Sequence, residues 1–169
     1  MQRELRAGAS AAAGWRDRRR SGVVSSSSST SSSSSIGKSQ GLKSIKVQGR
    51  KVWIPKGDDI SARYIAREVF EKESYLAHGV CIGEGDQVVD VGANVGLFAL
   101  YCTDIVGETG RILCYEPADL ACRALEANTK EYPQVCAQPV ALSNRSGVAT
   151  LTTYAGASGW GKFKGIHTD

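Results

Sequence analysis

Asp90 and Glu116 are the side chains of this sequence best placed to do chemistry. Asp90 opens the loop Asp90-Val-Gly-Ala-Asn-Val-Gly96, between an apolar run and a helical pattern, and Glu116 stands twenty residues beyond Gly96, at the end of a second apolar run. A glycine turn between a strand and a helix lets main-chain amides point at a ligand, and the helix N-terminus adds partial positive charge. Alone this is weak, because tight turns need glycine whatever they bind. An acid at the mouth of the turn narrows the choice: it repels a pyrophosphate and favours a ligand with cationic centres. Glu116 lies where doubly wound folds place the acid that receives two ribose hydroxyls. The expected ligand is a nucleoside with a cationic arm, whose own carboxylate could use the loop amides. The competing readings are structural: Asp90 as an acceptor for loop amides, Glu116 as a strand-end surface acid, and Asn94 as a residue that tolerates left-handed backbone angles.

These residues need a rigid frame, and the surrounding pattern predicts one. Gln87-Val-Val-Asp-Val91 reads as a short buried strand, Leu97 to Val106 as a helix, and Arg111-Ile-Leu-Cys-Tyr115 as a second buried strand. A helix follows from Asp119 to Glu131, carrying Leu120, Ala121, Ala124, Leu125 and Asn128, and then a third strand from Val135 to Leu142. Strand, helix, strand, helix, strand at this spacing means a parallel sheet with right-handed crossovers. Upstream, Ser44 to Gln48 and Lys51 to Pro55 alternate around Gly49-Arg50 as a hairpin. The positions Ile60, Tyr64, Ile65, Val69, Phe70, Leu76 and Ala77 then form one helical stripe, entered at Asp58-Asp59 and left at Gly79. Downstream, Val148 to Tyr154 follows the turn Ser143-Asn-Arg-Ser-Gly147 and reads as a further strand. Tyr154, Trp160 and Phe163 suit core or hairpin packing better than a substrate platform.

Val88-Val-Asp-Val-Gly-Ala-Asn-Val-Gly-Leu-Phe98 and Tyr115-Glu-Pro117 resemble the first two motifs of class I methyltransferases. With Ala141-Leu-Ser-Asn-Arg-Ser-Gly147, the wording from about Glu68 to Trp160 is similar to the FkbM family of mostly O-directed methyltransferases, including copies embedded in polyketide and nonribosomal peptide synthases. The resemblance implies a Rossmann-like α/β fold and S-adenosylmethionine as cofactor. It implies that Asp90, Gly92, Asn94 and Gly96 hold the methionine part, that Glu116 holds the ribose, and that Ala141 and Leu142 lie along the adenine. The acceptor it implies is a hydroxyl of a small molecule, sugar or carrier-bound polyketide or peptide product. It names no catalytic base, and His78, at a helix end, is a poor candidate. Only the first three strands of the expected seven are recognisable, with hairpins, and the later acidic strand-end motif of the family is absent. The expectation is therefore an incomplete domain over residues 43–169, with an inactive truncated remnant as the alternative. A nicotinamide-dependent oxidoreductase is a minor alternative, since Gly92 and Gly96 are four apart and lack the G-x-G-x-x-G spacing.

Residues 1–42 differ in kind. Ser25 to Ser35 is ten serines and one threonine, preceded by Arg16-Asp-Arg-Arg-Arg20, so the segment cannot repay its chain entropy by burial and is expected to be disordered. It resembles a plastid or mitochondrial transit peptide and equally a plain low-complexity extension, which would leave the protein cytoplasmic. Met1 to Lys51 holds eleven Lys or Arg against two acids, while Val52 to Asp169 holds ten against fifteen. The folded part has no basic stripe with interleaved aromatics, so no nucleic-acid partner is expected. Cys81, Cys102, Cys114, Cys122 and Cys136 form no C-x-x-C pair and read as free thiols in a reducing compartment, and no metal site is expected. No apolar run is long enough to span a bilayer, so an intracellular, soluble protein is expected.

Overall fold

A computed structural model describes the chain over residues 2–7, 41–154 and 157–167. At its centre is a three-stranded parallel sheet in the order β4-β5-β6, formed by β4 (Gln87–Val91), β5 (Arg111–Tyr115) and β6 (Val135–Gln138). Helix α2 (Leu97–Val106) connects the first two strands and α3 (Asp119–Thr129) the next two, so this is the expected Rossmann-like α/β arrangement in partial form. The register runs Val89 against Leu113 against Cys136. Val88, Ile112, Cys114 and Ala137 pack with Ala99, Cys102, Val106 and Leu125 in one apolar cluster. The third strand is shorter than expected because Pro139 follows Gln138 and has no N–H to donate to the ladder.

The expectation that β4 is buried needs correction. Gln87, Val89 and Val91 are exposed, Val91 at 62%, and only Val88 and Asp90 turn inward. Among the described residues no strand pairs with the outer edge of β4. Val89 and Val91 point to the face of the sheet opposite Val88, and neither belongs to an apolar cluster of the described residues.

The hairpin of β2 (Leu42–Val47) and β3 (Arg50–Pro55) turns through Gln48 and Gly49, both at positive φ (48° and 78°), the geometry that matches strand twist in two-residue turns. Its buried residues Leu42, Val47, Val52 and Ile54 share a second cluster with Val95, Leu97, Leu100 and Ala124. Helix α1 (Asp59–Phe70) joins that cluster through Ala62 and Ala66. The apolar stripe expected along this segment holds in the second half of the helix, where Val69 is buried and Ile65 and Phe70 pack against the cluster. It does not hold at the start, where Ile60 is 84% exposed, Tyr64 is exposed too, and Ala62 takes the buried position. The helix also stops nine residues before Gly79, at Phe70. Glu71-Lys-Glu-Ser74 offers nothing to bury, Glu73 turns left-handed (φ 48°), and Ser74–Gly79 forms a separate 3-10 segment.

Strand β7 (Gly147–Tyr154) pairs antiparallel with β8 (Ala157–His167) and, on its other side, with β1 (Gln2–Ala7). Part of the tail expected to be disordered thus supplies a strand, through main-chain bonds that any sequence can make. The hairpin begins at Leu42, one residue before the expected boundary. Residues 8–40, with the serine run and the transit-peptide reading, lie outside the described residues, as do the side chains of Trp160 and Phe163.

One side chain ties the hairpin to the sheet. Asn128 on α3 accepts from the Trp53 N–H (2.6 Å) and donates to the carbonyls of Trp53 (2.9 Å) and Val95 (2.8 Å). Replacement Asn128→Ala strands three main-chain groups in a partly buried seam. It is expected to cost about 2–4 kcal/mol in urea denaturation, against well under about 1 kcal/mol for the exposed Glu126→Ala on the same helix.

Candidate functional site

The loop after β4 is shaped by the end of β5. The Tyr115 carbonyl accepts from the N–H groups of both Gly92 (2.8 Å) and Ala93 (3.1 Å). The Glu116 carboxylate accepts from the Asn94 N–H (2.8 Å) with one oxygen and from the Ala118 N–H (2.7 Å) with the other. Gly96 donates to the Ala93 carbonyl (2.8 Å). The expectation that these amides cradle an anion is therefore wrong for Gly92, Ala93, Asn94 and Gly96, because the neighbouring strand end already uses them. The amides left for an anion are those of the first turn of α2, which an α-helix leaves without intrahelical partners.

Two positions need their backbone freedom. Asn94 is left-handed (φ 50°), in line with its expected conformational role. Gly96 has φ 84°, and a Cβ there would meet the Leu125 side chain at 2.5 Å. Gly96 thus lets α2 and α3 approach each other and does not itself line the cavity.

That cavity, about 380 Å³, lies within the range of about 300–1,000 Å³ usual for small-ligand sites. Of the residues expected to bind a cofactor, Asp90, Gly92, Asn94, Glu116, Ala141 and Leu142 all line it. Ala141 and Leu142 reach it from the loop beyond β6, not from the strand. Tyr75, Phe98, Leu151, Thr153 and Gly161 line it as well and were not expected. Tyr75 had no signal, because its place depends on the left-handed break at Glu73. The wall from Leu151 and Gly161 follows from the β7–β8 pairing, which a single strand pattern does not reveal. His78 is exposed, left-handed (φ 61°) and outside the cavity lining.

The two carboxylates have opposite surroundings. Glu116 is 6% exposed, which removes the surface-acid reading, and its amide partners partly offset a burial that pushes its carboxyl upward. Asp90 Oδ2 is buried with no hydrogen-bond partner, so Asp90 is not the acceptor of the loop amides. Burial, and then the negative charge of Glu116, push its carboxyl up to about 6. Among the described residues no lysine, arginine or histidine lines the cavity, so neither acid meets a cation there. All five cysteines are free, and burial holds the Cys102 and Cys122 thiols up at about 12, far from reactive thiolates. Among the described residues no group of three potential ligands could hold a metal, and no helix is long and apolar enough to cross a membrane.

Over 111 residues, 64% of its length, the chain is 36% identical to 31-O-demethyl-FK506 methyltransferase FkbM of Streptomyces tacrolimicus, matching 40% of that protein. Over 104 residues it is 38% identical to AMB antimetabolite synthetase AmbE of Pseudomonas aeruginosa, matching 5% of that protein. The chain thus spans less than half the length of these curated relatives. Among solved structures, an S-adenosylmethionine-dependent O-methyltransferase from Thermotoga maritima superposes at a TM-score of 0.37 with 22% identity, covering 61% of this chain and 40% of that one. No family model matches the chain. Over the 111 matched residues the chain is similar to a methyltransferase.

An acid whose carboxyl is raised on folding destabilises the fold once it ionises. The stability it contributes is fully present below its ordinary value of 3.8 and is lost as the pH rises through about 6. Urea denaturation of the unliganded chain between pH 4 and 7.5 is expected to show this loss, and Asp90→Asn to remove that part of the pH dependence. At pH 7.5 the variant should unfold at higher urea than the parent. A parent and variant with parallel pH profiles would contradict the assignment.

Proposed function

We propose that the cavity binds S-adenosylmethionine and that the chain supplies the cofactor-binding part of an O-directed methyltransferase. The observation that carries this reading is a pair of acids, Asp90 and Glu116, lining one cavity with no basic side chain among the described residues, with Asp90 Oδ2 buried and without a hydrogen-bond partner. A pyrophosphate would meet two carboxylates there. A ligand with an ammonium and a sulfonium neutralises them.

The residues present fit such a cofactor. Asp90 pairs with the ammonium, and its carboxyl ionises fully when that charge arrives. The first-turn amides of α2 face the ligand carboxylate. Glu116 keeps acceptor capacity for ribose hydroxyls, because each carboxylate oxygen has two lone-pair sites and each uses one on an amide. Ala141 and Leu142 offer main chain and apolar surface at the far end for the adenine. When bound, the cofactor supplies an electrophilic methyl group. The chain's own contribution is to hold that group in place and keep water from it, which is where most of the rate of a direct displacement arises. By the likeness to a 31-O-demethyl-FK506 methyltransferase, the acceptor is a hydroxyl of a small or carrier-bound molecule.

Calorimetric titration of the full chain tests this. S-adenosylmethionine is expected to bind and NAD not to, and Asp90→Asn to weaken S-adenosylmethionine by about 10- to 100-fold, the usual worth of a charged hydrogen bond. A chain that prefers NAD would reinstate the oxidoreductase alternative. One that binds neither would support the inactive remnant.

A further inference from the structure

Tyr75 is not explained by cofactor anchoring or by core packing. Its ring stacks on Phe98 (centroids 4.8 Å apart, 28° between planes), yet Tyr75 remains 53% exposed and lines the cavity. One face of the ring is therefore occupied and the other is open. Phe98 is the second residue of α2, just past Gly96, so the pair stands at the loop end of the cavity. Phe98 is in turn stacked near Tyr101 (6.4 Å), which meets Phe70 edge-on (5.8 Å).

The segment carrying Tyr75 is held from several sides. Glu73 enters it in the left-handed region and accepts a hydrogen bond from the Tyr101 hydroxyl (2.9 Å). Ser74 Oγ donates to Glu68 (2.9 Å), whose other oxygen accepts from Lys72 (2.6 Å). A left-handed non-glycine residue persists only where its surroundings over-determine it. The bracing fixes an aromatic face at the rim of a cavity whose charged residues are both acids.

We propose that Tyr75 is a specificity-determining residue that presents its free face to the cationic reacting centre of the ligand, so that the cavity distinguishes a sulfonium from a neutral thioether. An aromatic quadrupole attracts a cation over its face, and a second ring behind it fixes the first in place without occupying the open side. The assignment rests on the cofactor reading above. It separates two jobs: Asp90 answers the ammonium, which substrate and demethylated product both carry, and Tyr75 answers the charge that only the substrate carries.

The test is calorimetric titration of the full chain with S-adenosylmethionine and with S-adenosylhomocysteine, for the parent, Tyr75→Phe and Tyr75→Leu. The Leu variant is expected to lose roughly 3- to 30-fold in affinity for the sulfonium ligand and less than about 2-fold for the thioether, while the Phe variant follows the parent with both. Tyr75→Met, which keeps contact with Phe98 without a ring, makes the same comparison if the Leu variant does not fold. Equal losses for the two ligands, or no loss for either, overturn the assignment while leaving the cofactor reading intact. A parent that binds neither ligand overturns both.

Discussion

Three consecutive N–H groups, those of Gly92, Ala93 and Asn94, all find their acceptors at the end of β5, on the Tyr115 carbonyl and the Glu116 carboxylate. Buried main-chain donors must be paired, and pairing them across to the next strand fixes the loop before any ligand arrives. The path of the loop then settles where α2 starts, and Gly96 allows α2 to start close against Leu125 of α3. Side chains, not a ring of loop amides, are what the cavity presents.

The same arrangement divides labour between two acids that the bare sequence makes look alike. Glu116 is compensated by main-chain donors and can remain in place as a structural charge. Asp90 is compensated by nothing in the protein, and the fixed charge of Glu116 adds to its burden. A group held in this state lowers the stability of the empty chain and raises its affinity for a cation, the exchange of stability for function that binding sites commonly show. Stability and binding should therefore respond in opposite directions to the same substitution.

Elements punctuated by glycine were legible in the sequence. Residues 87–91, 97–106 and 111–115 were placed to the residue because Gly92, Gly96, Gly107 and Gly110 mark their ends. Elements that end for other reasons were not. The helix expected to reach His78 stops at Phe70, where polar residues and a left-handed glutamate intervene, and the strand expected to reach Leu142 stops at Pro139. The stripe of α1 is legible at Ile65, Val69 and Phe70 but not at Ile60 and Tyr64, because periodicity favours large residues, whereas a closely packed hairpin admits Ala62 and Ala66. At the site, residue types revealed which side chains share the cavity, but not which acid holds the loop. That depends on the angle between two strand ends, and local sequence does not encode it. Asn128 fell within an apolar stripe, and its part in joining three segments was invisible there.

Asn128 meets the hairpin only through the main chain of Trp53, the indole playing no part in the bond. The two ends of this link therefore differ in how much change they can absorb. Position 53 can be rewritten with any residue that packs beside Lys51 and the neighbouring core, since every amino acid but proline brings the same N–H and C=O. Position 128 requires a side chain that is donor and acceptor at one fixed length, and among the twenty only asparagine has that shape. Variation at position 53 can thus proceed without breaking the link, so long as a single residue on a different element stays the same.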